Sequence, residues 1–244
     1  MKYIFKILLL VIALNGQILF AQSDSEKADT LYNQAQKLYA QKKYKEAIPL
    51  YEESYSLKPS KDIPANTGIS YKNTGKYEKA REWYILGVNK FDDAKSAFDL
   101  ALLYEENFKN IKEAIKWYEK AYVMGNISGA HNLGYLYDVV EHDYKNAIIW
   151  YKKAAKEGDG QSINNLGEVY HDLNKNIVAS AYILAGIAYG YNKVETFKYL
   201  KETWNIDAKT LKEAYRFQKK LDIPKYYYDK EFEDKVVKKK TGRR

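Results

Sequence analysis

The chain has 244 residues, 40 basic against 32 acidic, and no cysteine, which excludes disulfide bracing and a thiol nucleophile. The excess charge sits at the two ends. Lys2 and Lys6 lie in the first 21 residues and six Lys or Arg lie in the last ten, so residues 22–234 are formally neutral. That balance argues against a basic body shaped for nucleic acid.

The first residues read as an export signal. Lys2 and Lys6 form a short basic region, Ile7 to Leu14 is an apolar run, and Asn15-Gly16-Gln17 interrupts it before Ile18 to Ala21. An uninterrupted run below about 18 residues is short for a membrane span. A small residue at Ala21 followed by polar sequence predicts cleavage between Ala21 and Gln22. The expectation is an exported chain, periplasmic in a bacterium or secreted. The alternative is a retained N-terminal anchor and a membrane-tethered adaptor. No cysteine follows the run to carry a lipid.

Beyond residue 26 a small residue followed by an aromatic pair recurs. Ala47, Ala80, Ala114, Ala147 and Ala179 are spaced 33, 34, 33 and 32 residues apart. Leu50-Tyr51, Trp83-Tyr84, Trp117-Tyr118, Trp150-Tyr151 and Tyr182-Ile183 follow in step. Such a period marks a unit that cannot bury its apolar face alone and stacks on copies of itself. In the first unit, Ala35, Leu38 and Tyr39 share a helix with 3.6-residue periodicity. Tyr44, Ala47, Tyr51 and Tyr55 share a second, which Pro59 stops. The second unit repeats this with Gly68, Tyr71, Gly75, Tyr77, Ala80, Tyr84 and Gly87, Gly75 serving as a left-handed turn residue. From Ala97 the turn inside each unit gains one residue: Tyr71 to Ala80 spans 9 positions, Tyr104 to Ala114 and Tyr137 to Ala147 span 10.

After Gly190 the signature stops. Glu195 to Thr203 reads as a helix, and Asp207 caps another running through Leu211, Ala214 and Tyr215 toward Pro224. The expected organisation is a signal peptide over 1–21, repeats over 26–93 and 94–191, capping helices over 192–224 and a basic tail over 225–244. That tail, with Tyr226-Tyr227-Tyr228, is expected to pack loosely, or else to fold back on the stack.

These residues resemble known families. Units one and two look like tetratricopeptide repeats. Units three to five look like Sel1-like repeats, most completely from Ala130 through Leu133-Gly134, Tyr137, Ala147 and Trp150-Tyr151 to Gly158. Asp138 to Asp143 replaces the Gly-rich turn usual in that family, and Tyr182-Ile183 leaves unit five degenerate. The resemblance implies an all-α, right-handed solenoid of five antiparallel helix pairs with a C-terminal cap. It implies function weakly, since such repeats serve as adaptors and assembly factors in many pathways.

Residue patterns for chemistry are sparse. His131, His142 and His171 lack metal-ligand spacing, so no metal or other cofactor is expected. No Gly-rich phosphate loop or nucleophile elbow is present, and Glu52-Glu53, Asp92-Asp93 and Glu105-Glu106 read as solvated helix faces. No catalytic residue is assigned.

In such repeats the first helices line the concave face. Counting from Ala35, Gly68, Ala101, Gly134 and Gly167, the partner-binding positions are Tyr32, Tyr39, Phe98, Glu105, Glu106, His131, Tyr135, Asp138, Glu168 and Asp172. This face passes from neutral and aromatic to acidic with aromatic islands, which suits a peptide or protein segment carrying basic residues. The Lys, Asn and Arg clamp by which some tetratricopeptide domains grip a C-terminal carboxylate is poorly matched: Tyr32 and Gln36 hold its first two positions, and only Asn66 and Lys95 partly fit. A different reading is an envelope protein acting on cell-wall material. Its secreted Sel1-like relatives carry paired cysteines, which this chain lacks.

Overall fold

The computed structural model describes residues 23–232, so the expected signal segment and the basic end from 233 lie outside the described residues. These residues form helices and turns with no strand among them. The fold is the expected α-solenoid of stacked helix pairs, in two units divided after Met124.

In the first unit, α1 covers 23–40, α2 Tyr44–Leu57, α3 Asp62–Asn73, α4 Tyr77–Phe91, α5 Ala94–Glu106 and α6 Ile111–Val123. Helices pair α1/α2, α3/α4 and α5/α6, and α2 also packs on α3 and α4 on α5. In the second unit, α7 covers Ile127–Tyr135 and runs on as a π turn, Leu136–Val140. There follow α8 Tyr144–Lys156, α9 Gly160–Asp172, α10 Asn176–Gly186, α11 Lys193–Lys198 with a second π turn at Tyr199–Thr203, and α12 Ala208–Phe217.

The aromatic pair divides its labour. Tyr51, Tyr84, Tyr118 and Tyr151 are fully buried, whereas Trp83, Trp117 and Trp150 are half-buried. Each tyrosine of α4 and α8 lies on a first-helix glycine. A Cβ at Gly68 would overlap the ring of Tyr84, and one at Gly134 the ring of Tyr151. In the degenerate fifth pair a Cβ at Gly167 would meet Ile183 Cδ1 at 2.6 Å. The small residues therefore seat the tyrosine of their own pair, besides bringing the helices close.

The turns use more left-handed residues than the glycines reveal. Gly75 has φ 75°, as expected, but Lys42, Lys109, His142, Asn174 and Asn205 take the same region in the corresponding turns, with φ between 52° and 59°. A non-glycine residue there costs on the order of 1 kcal/mol, which the closing backbone hydrogen bonds offset, such as Lys43 N–H to Leu38 C=O at 2.9 Å. Asp207 caps α12, as its position predicted, by accepting from the Thr210 N–H at 2.6 Å.

The stretch 225–232 does not pack loosely. Tyr227 is buried, its N–H donates to Gln218 Oε1 at 2.9 Å, Asp229 pairs with Lys193, and Phe232 lies 4.9 Å from the Tyr215 ring. Burial of these rings and satisfaction of the buried Gln218 fold the segment back onto α12.

Two changes test this core. Gly→Ala inside a helix is ordinarily favourable by about 1 kcal/mol. Here the ring it would strike is fully buried and cannot yield, so Gly134→Ala should destabilise by about 1–3 kcal/mol. Tyr151→Ala should cost about 3–5 kcal/mol. Hydrogen exchange of Tyr151→Ala should quicken within residues 125–232; equal acceleration over 23–124 would contradict the local nature of the contact.

Candidate functional site

In the second unit, the hydroxyls of core tyrosines organise acids on the face of the first helices. Tyr151 reaches through from α8 and donates to Asp138 Oδ2 at 3.4 Å. Tyr199, in the π turn after α11, sits 3.1 Å from both carboxylate oxygens of Glu168 on α9. Burial, first, pushes the Asp138 carboxyl up, the Tyr151 hydrogen bond opposes it, and Asp172 adds to the rise. Burial likewise raises Glu168 against its bond from Tyr199, and both Asp172 and Asp138 add to that rise. The charge of Asp172 thus acts on both Asp138 and Glu168, against the opposing effects of His142 on Asp138 and His171 on Glu168. Tyr135, on the same helix as Asp138, is 44% exposed. Beside Glu168 lies a cavity of about 250 Å³, lined also by Asn164, Tyr191, Glu195 and Tyr199.

His131 does not belong to this group. Its Nδ1 lies 3.1 Å from Asp159 Oδ2 and 2.9 Å from Ser162 Oγ, and its ring packs on Tyr151. Asp159 is the N-cap of α9, accepting from the Ser162 N–H at 2.7 Å. His131 is therefore occupied in fastening α9 to α7. No group of His, Asp or Glu among the described residues is arranged to hold a metal ion.

In the first unit the expected residues divide. Tyr32 and Tyr39 pack around Tyr51, with ring centroids 6.1 and 6.5 Å away. Glu105 accepts from Tyr118 at 2.7 Å, the same arrangement as Asp138 with Tyr151. Glu106 is paired with Lys72 at 2.8 Å. Phe98 is half-buried against Tyr118, 5.5 Å between centroids, and against the core of Val88, Ala97 and Ala121. It is a packing residue more than an exposed anchor, because its ring completes that core. Tyr51 and Tyr84 end in buried hydroxyls with no hydrogen-bond partner among the described residues. In their pairs the position four residues after the small one is Tyr39 or Lys72, where pairs three and four carry Glu105 and Asp138.

A row of residues on this face escaped the sequence reading. Asn33, Asn66, Asp99, Asn132 and Asn165 recur every 33 residues, two before the small residue of each first helix. Asn165 reaches the Tyr151 hydroxyl, and Asp99, its carboxyl raised by burial, acts on Tyr84. Their constant spacing was the available signal.

Comparison with known proteins follows this geometry. A Sel1 repeat model matches residues 70–90, 94–126 and 127–159, and a tetratricopeptide repeat model matches 28–61. The first Sel1 match falls in the second pair, which its short turn likens to a tetratricopeptide repeat. The PilF protein of Pseudomonas aeruginosa has a similar structure, with TM-score 0.60 at 14% identity over 82% of this chain and 93% of that one. So does the protective antigen c5321 of uropathogenic Escherichia coli, at 0.60 and 23%, over 86% of this chain but only 48% of that one. A Sel1 repeat protein from Oxalobacter formigenes gives 0.53 and 22%, over 78% and 84%. At these identities the likeness shows the fold alone. No curated protein matches by sequence. The chain thus carries Sel1 repeats and a tetratricopeptide repeat, and such repeats typically mediate protein–protein interaction.

The His131–Asp159 link has a measurable consequence. Burial works against the Asp159 carboxylate, but hydrogen bonds from His131 and Ser162 prevail and hold it at about 2. A depressed folded value gives stability that is present above the ordinary Asp value near 4 and lost as pH falls through about 2. Asp159→Ala should cost about 1 kcal/mol at neutral pH through the lost cap. In urea denaturation its difference from wild type should shrink between pH 4 and 2. A constant difference over that range would show that the carboxylate's charge contributes nothing.

Proposed function

We propose that this protein is a non-catalytic, exported scaffold that holds a basic segment of a partner protein on the face of its first helices. The group of Asp138, Glu168 and Asp172 beside exposed Tyr135 carries this reading. The charge of Asp172 raises Asp138 and Glu168, and an incoming cation relieves that repulsion. The tyrosine hydroxyls that hold Asp138 and Glu168 leave other lone pairs free, since a carboxylate accepts several bonds. The cavity at Glu168 has room for the end of a lysine or arginine side chain, and Tyr135 offers an aromatic surface for an apolar neighbour. Asn132 and Asn165 add amides, each able to donate to and accept from an extended backbone.

A fluorescent decapeptide alternating Lys and Leu is a suitable probe. Its anisotropy titration should saturate, weaken with added salt, and outcompete an equivalent Glu-Leu peptide. Tyr135→Ala should weaken it by more than about 1 kcal/mol, and Asp138→Asn with Glu168→Gln should flatten the salt dependence. Protonation removes the negative charge, and burial raises both carboxyls, so binding should fall as pH drops, with a midpoint above the ordinary carboxylate range. Equal binding of the acidic peptide, or unchanged binding by all three variants, would overturn the reading.

Export rests on the basic, apolar and small-residue order of residues 2–21. N-terminal sequencing of the protein from its producing cells should begin at Gln22. A chain beginning at Met1 in the envelope fraction would favour the tethered form.

A further inference from the structure

The second unit holds a second cavity of opposite character. It measures about 480 Å³ and lies among α8, α9, α10 and the end of α12. Its floor is a pair of buried tyrosines, Tyr170 and Tyr182, stacked at 5.7 Å with planes 5° apart. Among the described residues no hydrogen bond is formed to either hydroxyl. Val178, Phe217 and Leu221 add apolar wall.

Two ammonium groups stand over this floor and a third over the wall. Lys152 and Lys175 lie 5.8 and 5.7 Å from the Tyr170 ring, and Lys220 lies 5.7 Å from Phe217. None of the three is in an ion pair among the described residues. Asp222, the carboxylate lining the cavity, is already bonded to Lys156 at 3.0 Å. Cations gathered over aromatic rings, with the one lining carboxylate bonded to a fourth lysine, repel one another, and an anion placed among them turns that repulsion into attraction. The aromatic floor and the space beneath match a planar or apolar body, within the volume range of small-ligand sites.

We propose that this cavity is a binding site for a small aromatic or apolar-bodied organic anion, its carboxylate, phosphate or sulfonate head held by Lys152, Lys175 and Lys220 and its body lying on Tyr170 and Tyr182. Burial pushes the Tyr182 phenol up, so it keeps its proton at neutral pH and can donate to the head group. The site shares no lining residue with the acidic group and stands independently of the peptide reading.

The test uses the full chain and 8-anilinonaphthalene-1-sulfonate as probe, followed by fluorescence. One saturable site is expected, with naphthalene-1-sulfonate displacing the probe. Inorganic phosphate and 1-naphthalenemethanol should each compete at least tenfold less well, since one lacks the body and the other the charge. The variant Lys152→Gln/Lys175→Gln/Lys220→Gln should bind at least tenfold more weakly while melting as wild type does. The control Lys145→Gln/Lys201→Gln/Lys209→Gln, equal in charge, should bind normally. Equal loss in both variants, no loss in the first, or phosphate competing as well as the sulfonate would overturn the proposal.

Discussion

In the second and fourth helix pairs a buried tyrosine ring lying on a first-helix glycine closes the pair. The contact sets how near the two helices come, because nothing larger than hydrogen fits at Gly68 or Gly134 beneath the rings of Tyr84 and Tyr151. It also fixes where each hydroxyl ends. A phenol that enters from the second helix emerges at the face of the first, so the core contact determines the chemistry available on the surface. Where an acid stands four residues after the small position, as with Glu105 and Asp138, the hydroxyl is satisfied and the acid is held. Where Tyr39 or Lys72 stands there, the hydroxyls of Tyr51 and Tyr84 remain unpaired among the described residues. An unpaired buried donor costs about 1–3 kcal/mol, an asymmetry within one repeated fold.

The repeat was legible in the sequence because a solenoid places equivalent residues in equivalent surroundings at a fixed interval. Ala47, Tyr51 and their counterparts announce the helix pairs, and the five small first-helix positions index the face of the first helices. Less legible was what each residue on that face does. His131 and Phe98 occupy the register positions assigned to them, yet one is bound to the cap of α9 and the other completes a core. Register gives direction; a partner on a neighbouring helix decides whether the side chain is free. The turns were hidden for a different reason. Lysine, histidine and asparagine fill left-handed positions that only Gly75 marked. Residues 225–232 looked polar and basic, but Tyr227 is buried, Phe232 packs on Tyr215 and Asp229 pairs with Lys193.

Electrostatics in this chain are local. With residues 22–234 formally neutral, no long-range field steers a ligand to the body as a whole. At physiological salt the screening length is about 8 Å, so a cluster acts on what is nearly in contact with it. The second unit nonetheless carries an acidic group around Glu168 and a lysine-rimmed cavity over Tyr170. Neither is predictable from net charge, since their contributions offset one another in the sum. Sidedness, set by which helix of a pair each residue occupies, separates what composition averages away.

The two π turns lie where the acidic group is built. Glu141 N–H bonds Leu136 C=O at 3.0 Å and Trp204 N–H bonds Tyr199 C=O at 3.2 Å, each spanning five residues instead of four. Such turns are less stable than regular helix and recur at functional sites. One carries Asp138 and the other Tyr199. Glu105 offers an internal comparison, since it takes the equivalent position in α5, which stays α-helical through Glu106. There a longer acid receives its tyrosine at 2.7 Å; at Asp138, one methylene shorter and in a π turn, the same bond lengthens to 3.4 Å. A hydrogen bond weakens steeply at such length. Asp138 is thus held in place by a tyrosine that satisfies it less than Tyr118 satisfies Glu105. A buried acid that is positioned but only partly satisfied has the most to gain from an incoming donor. This ties the irregular backbone of α7 to the recognition proposed for this face.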